Sequence, residues 1–237
     1  MSGIAGQVLA VGAVVLSPFP SPETFQASQV SWDPDSVHVL VNRQNPLEPV
    51  DYSPEDLVEV GVRTSVEHPV YMRAEPAEAV EELFDDALED GVSLAVTSGY
   101  RPFDSQTRIY SARHAHHGTE GTDEFAARPG YSEHQTGLAV DVISIDNPDC
   151  IMGDCFHETP EFEWLEDSAH DYGFIIRYPE GMEHVTGFAY EPWHLRYVGE
   201  GTAEEVVELG LTLEEYWRQP AAPDYDDPEP DPEHLDP

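Results

Sequence analysis

The sequence predicts an α+β domain, with several helices packed on a small, largely antiparallel sheet. Three observations carry this. Short apolar runs of strand length recur at Val92 to Thr97, Leu138 to Ile143 and Phe174 to Tyr178. Pro76 to Asp90 repeats apolar residues at helical spacing. Helix-start signals, Thr159-Pro160, Thr202-Ala-Glu-Glu205 and Thr212-Leu-Glu-Glu215, interrupt these runs. A chain of 237 residues, 40% of them hydrophobic, has enough material for one domain with a full core.

In chain order, Ile4 to Leu16 is apolar and rich in small residues. It suits a signal-peptide core better than a membrane span, which needs about 20 apolar residues. It lacks a basic flank, and a disordered N-terminus is the alternative reading. Ser17 to Asp35 reads as a linker, so residues 1–36 are set apart from a folded domain at 37–218. Val37 to Val41 predicts a strand, Asn45-Pro46 a turn, and Ser53-Pro54 the start of a short helix. In the helix Pro76 to Asp90, Val80, Leu83, Phe84, Ala87 and Leu88 face inward and Gly91 ends it. The strand Val92 to Thr97 delivers Ser98-Gly99-Tyr100-Arg101 at its end, and Asp104 caps a helix through Gln106 and Tyr110. His114 to Gly130 reads as a polar loop over a cleft, with His114, His116 and His117 exposed rather than binding metal. Thr159-Pro160 opens a helix with Phe162, Leu165, Ala169 and Tyr172 inward, stopped by Gly173. Gly181 to Gly187 reads as a turn into the strand that carries Glu191 and His194. Residues 219–237, acidic and proline-rich, predict a disordered tail.

The chemistry is concentrated in Ser132-Glu-His134-Gln-Thr-Gly-Leu-Ala-Val-Asp141 and in Glu191-Pro-Trp-His194. Leu138, Ala139, Val140, Val142 and Ile143 surround Asp141 with buried-strand composition. A carboxylate there needs a cation or strong donors. A catalytic zinc takes three protein ligands and keeps a further position for water. His134, Asp141 and His194 supply three, and Glu191 is then free to act as general base. Positions three apart face opposite sides of a flat strand. Glu191 and His194 therefore share a site only if the strand bends there, which Pro192 makes plausible.

These motifs, together with Leu40-Val-Asn-Arg-Gln-Asn-Pro-Leu47, Ser98-Gly-Tyr-Arg101 and Gln106, resemble the zinc D-alanyl-D-alanine carboxypeptidases of the VanY type, in the family's order from about Val39 to Tyr197. The resemblance implies the fold shared by these D,D-peptidases and the hedgehog signalling domain, and one Zn2+ per chain. The implied activity is release of the terminal D-alanine from peptidoglycan stem peptides, in the cell envelope. Arg101 would stabilise the oxyanion or hold substrate; the alternative is a surface ion pair. Ser132 is a candidate for binding the substrate's carboxylate, or a plain turn serine. Gln106 is a candidate substrate contact, or a helix-surface residue, and Trp193 is expected to wall the pocket. Rival readings are an L,D-endopeptidase or D-Ala-D-Ala dipeptidase of the same family, and a non-catalytic module with structural zinc. Glu191 beside a ligand argues against the last, because a structural site needs no base.

The formal net charge is −38, and every Lys+Arg residue is arginine. Such a surface repels nucleic acid and anionic membranes, which excludes both as partners. A salt-adapted source and arginine-favouring codon usage both account for it. Cys150 and Cys155 have no second Cys/His pair at zinc-finger spacing. They predict a small disulfide loop in a secreted monomer; two reduced thiols are the alternative.

Overall fold

The computed structural model describes residues 28–147, 150 and 155–226. The apolar stretch Ile4 to Leu16 lies outside them. Strands β1 (Leu57–Glu59) and β2 (Tyr71–Arg73) form an antiparallel pair. Helix α1 (Ala74–Glu89) follows, then β3 (Leu94–Ser98), α2 (Phe103–Asp123) and β4 (Ala139–Ser144). Next come α3 (Pro160–Ser168), β5 (Phe174–Tyr178), α4 (Glu183–Thr186) and β6 (Glu191–Tyr197). Helices α5 (Glu200–Leu209) and α6 (Leu213–Tyr216) close the domain. The main sheet has the order β3-β4-β6-β5, antiparallel throughout, which is the expected class.

The core forms where α1 lies against this sheet. Val80, Leu83, Phe84 and Ala87 are buried among Val96, Leu138, Val140, Val142 and Leu195. The acidic face of α1 stays in water, and Leu88, read as inward, instead points out at 66% exposure. Thr159 caps α3 by accepting from the Phe162 amide at 3.2 Å. The chain then tightens into a 3-10 turn at Ala169–Tyr172. At Thr212 the capping box closes in both directions, 3.2 Å from the Glu215 amide to the hydroxyl and 3.0 Å from the Thr212 amide to Glu215 Oε2. Cys150 and Cys155 are disulfide-bonded with Cα atoms 5.2 Å apart.

The structure corrects several elements. Val37 to Val41 forms no strand. Its backbone makes one isolated bridge, Val39 with Ser31, and Arg196 Nη2 donates to the carbonyls of Val37 and Val39 at 3.1 and 2.7 Å. No helix starts at Ser53, whose hydroxyl accepts from Tyr100 Oη at 2.8 Å, while Asp56 pairs with Arg73 at 3.0 Å. The capping groups are occupied elsewhere. Thr202 lies inside α5, which is entered through Gly199 at φ 81°. Gly181 to Gly187 contains the short helix α4. The segment read as a loop from His114 is helical through Asp123, broken only at Gly118, where φ is 68°. Of the tail expected to be disordered, residues 219–226 differ, and residues 227–237 lie outside the described residues. The Ala222 amide donates to Val185 O at 2.7 Å, and Arg43 Nη1 donates to Pro223 O at 2.8 Å. Arg128 lies 4.1 Å over the Tyr225 ring. Cation–π and hydrogen-bond contacts therefore order residues 219–226 despite their composition.

Candidate active site

A 3-10 turn at Glu133–Thr136 carries His134, and β4 and β6 carry Asp141 and His194. Gly137, at φ 71°, turns the chain from this 3-10 segment into β4. A Cβ at Gly137 would lie 2.9 Å from Arg73 Cγ, so the turn has room for glycine alone. Asp141 and His194 face each other in the β4–β6 ladder. The spacing problem at Glu191 is solved by an irregularity. Ile176 pairs with Leu195 but Tyr178 pairs with Glu191, so β6 spends two extra residues there. Such bulges re-aim side chains. Glu191 Oε2 lies 3.8 Å from His194 Nδ1.

His134, Asp141 and His194 are buried, and one ligand atom from each lies within 4.8 Å of the others. His134 Nε2 is 3.2 Å from Asp141 Oδ2, and His194 Nδ1 is 3.0 Å from Asp141 Oδ1. The opposite nitrogen of each ring also has a partner. His134 Nδ1 is 2.8 Å from Gly99 O, and His194 Nε2 is 3.4 Å from Glu133 Oε2. A Cβ at Gly99 would strike Tyr71 O at 2.5 Å, so glycine is required to bring that carbonyl in.

The electrostatics suit a cation. Burial opposes ionisation of Asp141, yet His134 and His194 hold its carboxyl well below the usual range. Burial disfavours a charged His194, but its bonds to Asp141 and Glu133 prevail and push its pKa up to about 9. The anionic groups thus draw positive charge into the site. Two imidazoles and a carboxylate make a zinc-type donor set, each imidazole held from behind by an oxygen.

The three groups open into a cleft of ≈ 500 Å³, and Arg101, Gln106, Ser132, Trp193 and Glu191 line it with them. Burial, with repulsion from Asp141, pushes the Glu191 carboxyl up to about 7 against the pull of His194 and Arg101. Arg101 donates to Gln106 Oε1 at 2.8 Å and Ser98 Oγ at 3.0 Å, and has no carboxylate ion pair among the described residues. Gln106 also donates to Ala127 O at 2.6 Å, so both ends of its amide are engaged by protein. The Ser132 side chain has no hydrogen bond to another described residue and is directed to the cleft lining. Trp193 packs partly against the core and partly on the cleft.

Sequence reasoning missed Glu133, Tyr178, Arg113, Ile109 and Phe125, which also line the cleft. Ile109 and Phe125 are exposed apolar groups, at 38% and 55%. It also missed Arg177 and Arg196, both fully buried beneath the site. The available signal was an arginine inside an apolar strand, at Phe-Ile-Ile-Arg177-Tyr and Trp-His-Leu-Arg196-Tyr. His114, His116 and His117 stand apart: the His/Asp/His group is the one metal-type cluster among the described residues.

An α+β sheet presenting a buried His/Asp/His group beside a glutamate defines a hydrolase-type metal centre. Residues 69–200 match the VanY family, described as D-alanyl-D-alanine carboxypeptidase, and the chain belongs to that family. It is 43% identical over 190 residues to YodJ of Bacillus subtilis (strain 168), covering 79% of this chain and 69% of YodJ. Among solved structures, the LdcB LD-carboxypeptidase superposes with a TM-score of 0.74 at 43% identity, covering 78% of this chain and 87% of that one. The vancomycin resistance D,D-pentapeptidase VanY of a VanB-type cassette, in complex with Zn(II), gives 0.62 at 33% identity, covering 78% and 99%.

Proposed function

We propose that this protein is a zinc-dependent D,D-carboxypeptidase that releases the terminal D-alanine from peptidoglycan stem peptides ending in D-Ala-D-Ala, and that it acts in the cell envelope. The observation that carries the reading is Glu191, a half-buried carboxylate 3.8 Å from His194 that opens on the same cleft as the three donors. In this reading His134, Asp141 and His194 hold zinc, which supplies a Lewis acid that polarises the scissile carbonyl and acidifies water. Glu191 takes the proton of the attacking water and hands it to the leaving amine. Arg101, held by Gln106 and Ser98, presents fixed positive charge to the developing oxyanion. Ser132 offers its hydroxyl to the substrate carboxylate, and Trp193 excludes water on one side.

Likeness to the LdcB LD-carboxypeptidase favours a second reading, cleavage after an L-configured centre in a stem already one residue shorter. Mass spectrometry of synthetic pentapeptide and tetrapeptide stems, each incubated with protein and zinc, tests both. Loss of one alanine from the pentapeptide alone supports the first reading. Loss from the tetrapeptide alone replaces it with the second, and no loss from either removes both.

A further inference from the structure

Beneath the cleft lies a charged ladder with no solvent contact. Glu133, Arg177, Arg196 and Glu214 are all essentially unexposed. Glu133 Oε1 accepts from Arg177 Nε at 2.8 Å and from Arg196 Nη1 at 2.7 Å. The remaining nitrogens of Arg177 go to Glu214, at 2.6 and 3.0 Å, and Glu214 accepts in turn from Asn42 at 3.0 Å. Arg196 spends its other nitrogens on the carbonyls of Val37, Val39 and Tyr197. Both arginines therefore meet one oxygen of Glu133. The other, Oε2, is turned towards His194 Nε2 at 3.4 Å.

We propose that Glu133 is a positioning residue of the metal centre. Its Oε2 fixes the ring of His194 from the Nε2 side and so commits Nδ1 to the cation, while Arg177 and Arg196 lock the carboxylate in place. The chemistry requires a carboxylate. Oε1 must accept from two guanidinium groups and Oε2 from an imidazole N–H, so both oxygens act as acceptors. An amide accepts on one side only. Partners of this kind hold a ligating histidine in one tautomer and raise its basicity. The inference rests on His194 being a ligand in the reading above.

The test is zinc affinity, measured by competition with a chromogenic chelator on wild type, Glu133→Gln and Glu214→Gln, with thermal melting on the same preparations. Glu133→Gln is expected to bind zinc about 10–100-fold more weakly. Glu214→Gln breaks the same buried ladder one step further from the metal, so it should lower the melting temperature and leave zinc affinity within about threefold of wild type. If Glu133→Gln does not fold, Glu133→Asp takes its place: it keeps the charge for the arginines but is a methylene too short to reach His194, and the same loss is expected. Wild-type affinity in the folded Glu133 variant overturns the proposal. Equal losses in the Glu133 and Glu214 variants overturn it too, since they would make Glu133 one more rung of the ladder. A wild-type chain that binds no zinc overturns the metal reading and this inference with it, an outcome distinct from the other two.

Discussion

Asp141 stands directly opposite His194 in the β4–β6 ladder, and their side chains meet at 3.0 Å. Backbone pairing thus brings together two of the proposed ligands, 53 residues apart. His194→Ala removes a donor and leaves the buried Asp141 with His134 as its remaining partner. Zinc content and peptide hydrolysis are expected to fall together to background, measured by metal analysis and mass spectrometry on one preparation. Retained zinc at wild-type level would exclude His194 as a ligand.

Glu191→Gln keeps the shape of the side chain and removes its ability to take a proton. The hydrolysis rate is expected to drop about 10²–10⁴-fold while zinc remains bound. A near wild-type rate would dismiss Glu191 as the base and promote a structural role for the metal.

Arg101→Ala should retain zinc and lose about 10²–10³ in kcat, the usual worth of one donor to a developing oxyanion. Gln106→Ala should move kcat in the same direction by less, because its amide holds Arg101 at 2.8 Å. Steady-state kinetics on both variants checks this. A Gln106→Ala effect confined to KM would instead make Gln106 a direct substrate contact.

Stability should depend on acid through Glu214. Burial opposes its ionisation, but Arg177 outweighs that and holds the carboxyl below its ordinary value. The unfolded chain therefore takes up this proton at a higher pH than the folded one. The stabilisation is full above the unfolded carboxylate range, about 4.3, and is lost as pH falls below it. Denaturant unfolding between pH 7 and pH 3 should show a shallower acid slope for Glu214→Gln than for wild type. Identical slopes would mean that the pair contributes nothing to acid sensitivity.

The Asp141 stretch was legible because local composition exposes it: an aspartate amid Leu138, Ala139, Val140 and Val142 has to be buried, and a buried carboxylate demands a cation or strong donors. Helices α1 and α3 and strands β3 to β6 were legible from apolar period and caps. Helix α2 past His114 was not, because its histidines and glycines carry no apolar stripe where its flank opens on the cleft. The Glu133 ladder was invisible for a different reason. Its members lie up to 81 residues apart; Arg177 and Arg196 stand out inside apolar strands, but Glu133 and Glu214 each read alone as one acid among many. The bulge in β6 could be demanded from the Glu191–His194 spacing, but its form depends on pairing with β5. The strap at residues 219–226 depends on Arg43 and Arg128, and acidic, proline-rich composition carries no trace of them.

The overall charge and the two arginines of the cleft act on a substrate at different distances. The chain carries −38 overall, yet Arg101 and Arg113 line the cleft. A peptide ending in a carboxylate is repelled while it diffuses in and, in the proposed reading, meets Arg101 only on arrival. At 0.1 M salt the Debye length is about 10 Å, which trims the distant repulsion and leaves contact inside the cleft largely intact. The second-order rate constant for such a substrate should therefore rise with ionic strength from low salt, opposite to an enzyme that steers its substrate in. If Arg101 holds the peptide as proposed, dissolved ions govern how often it arrives.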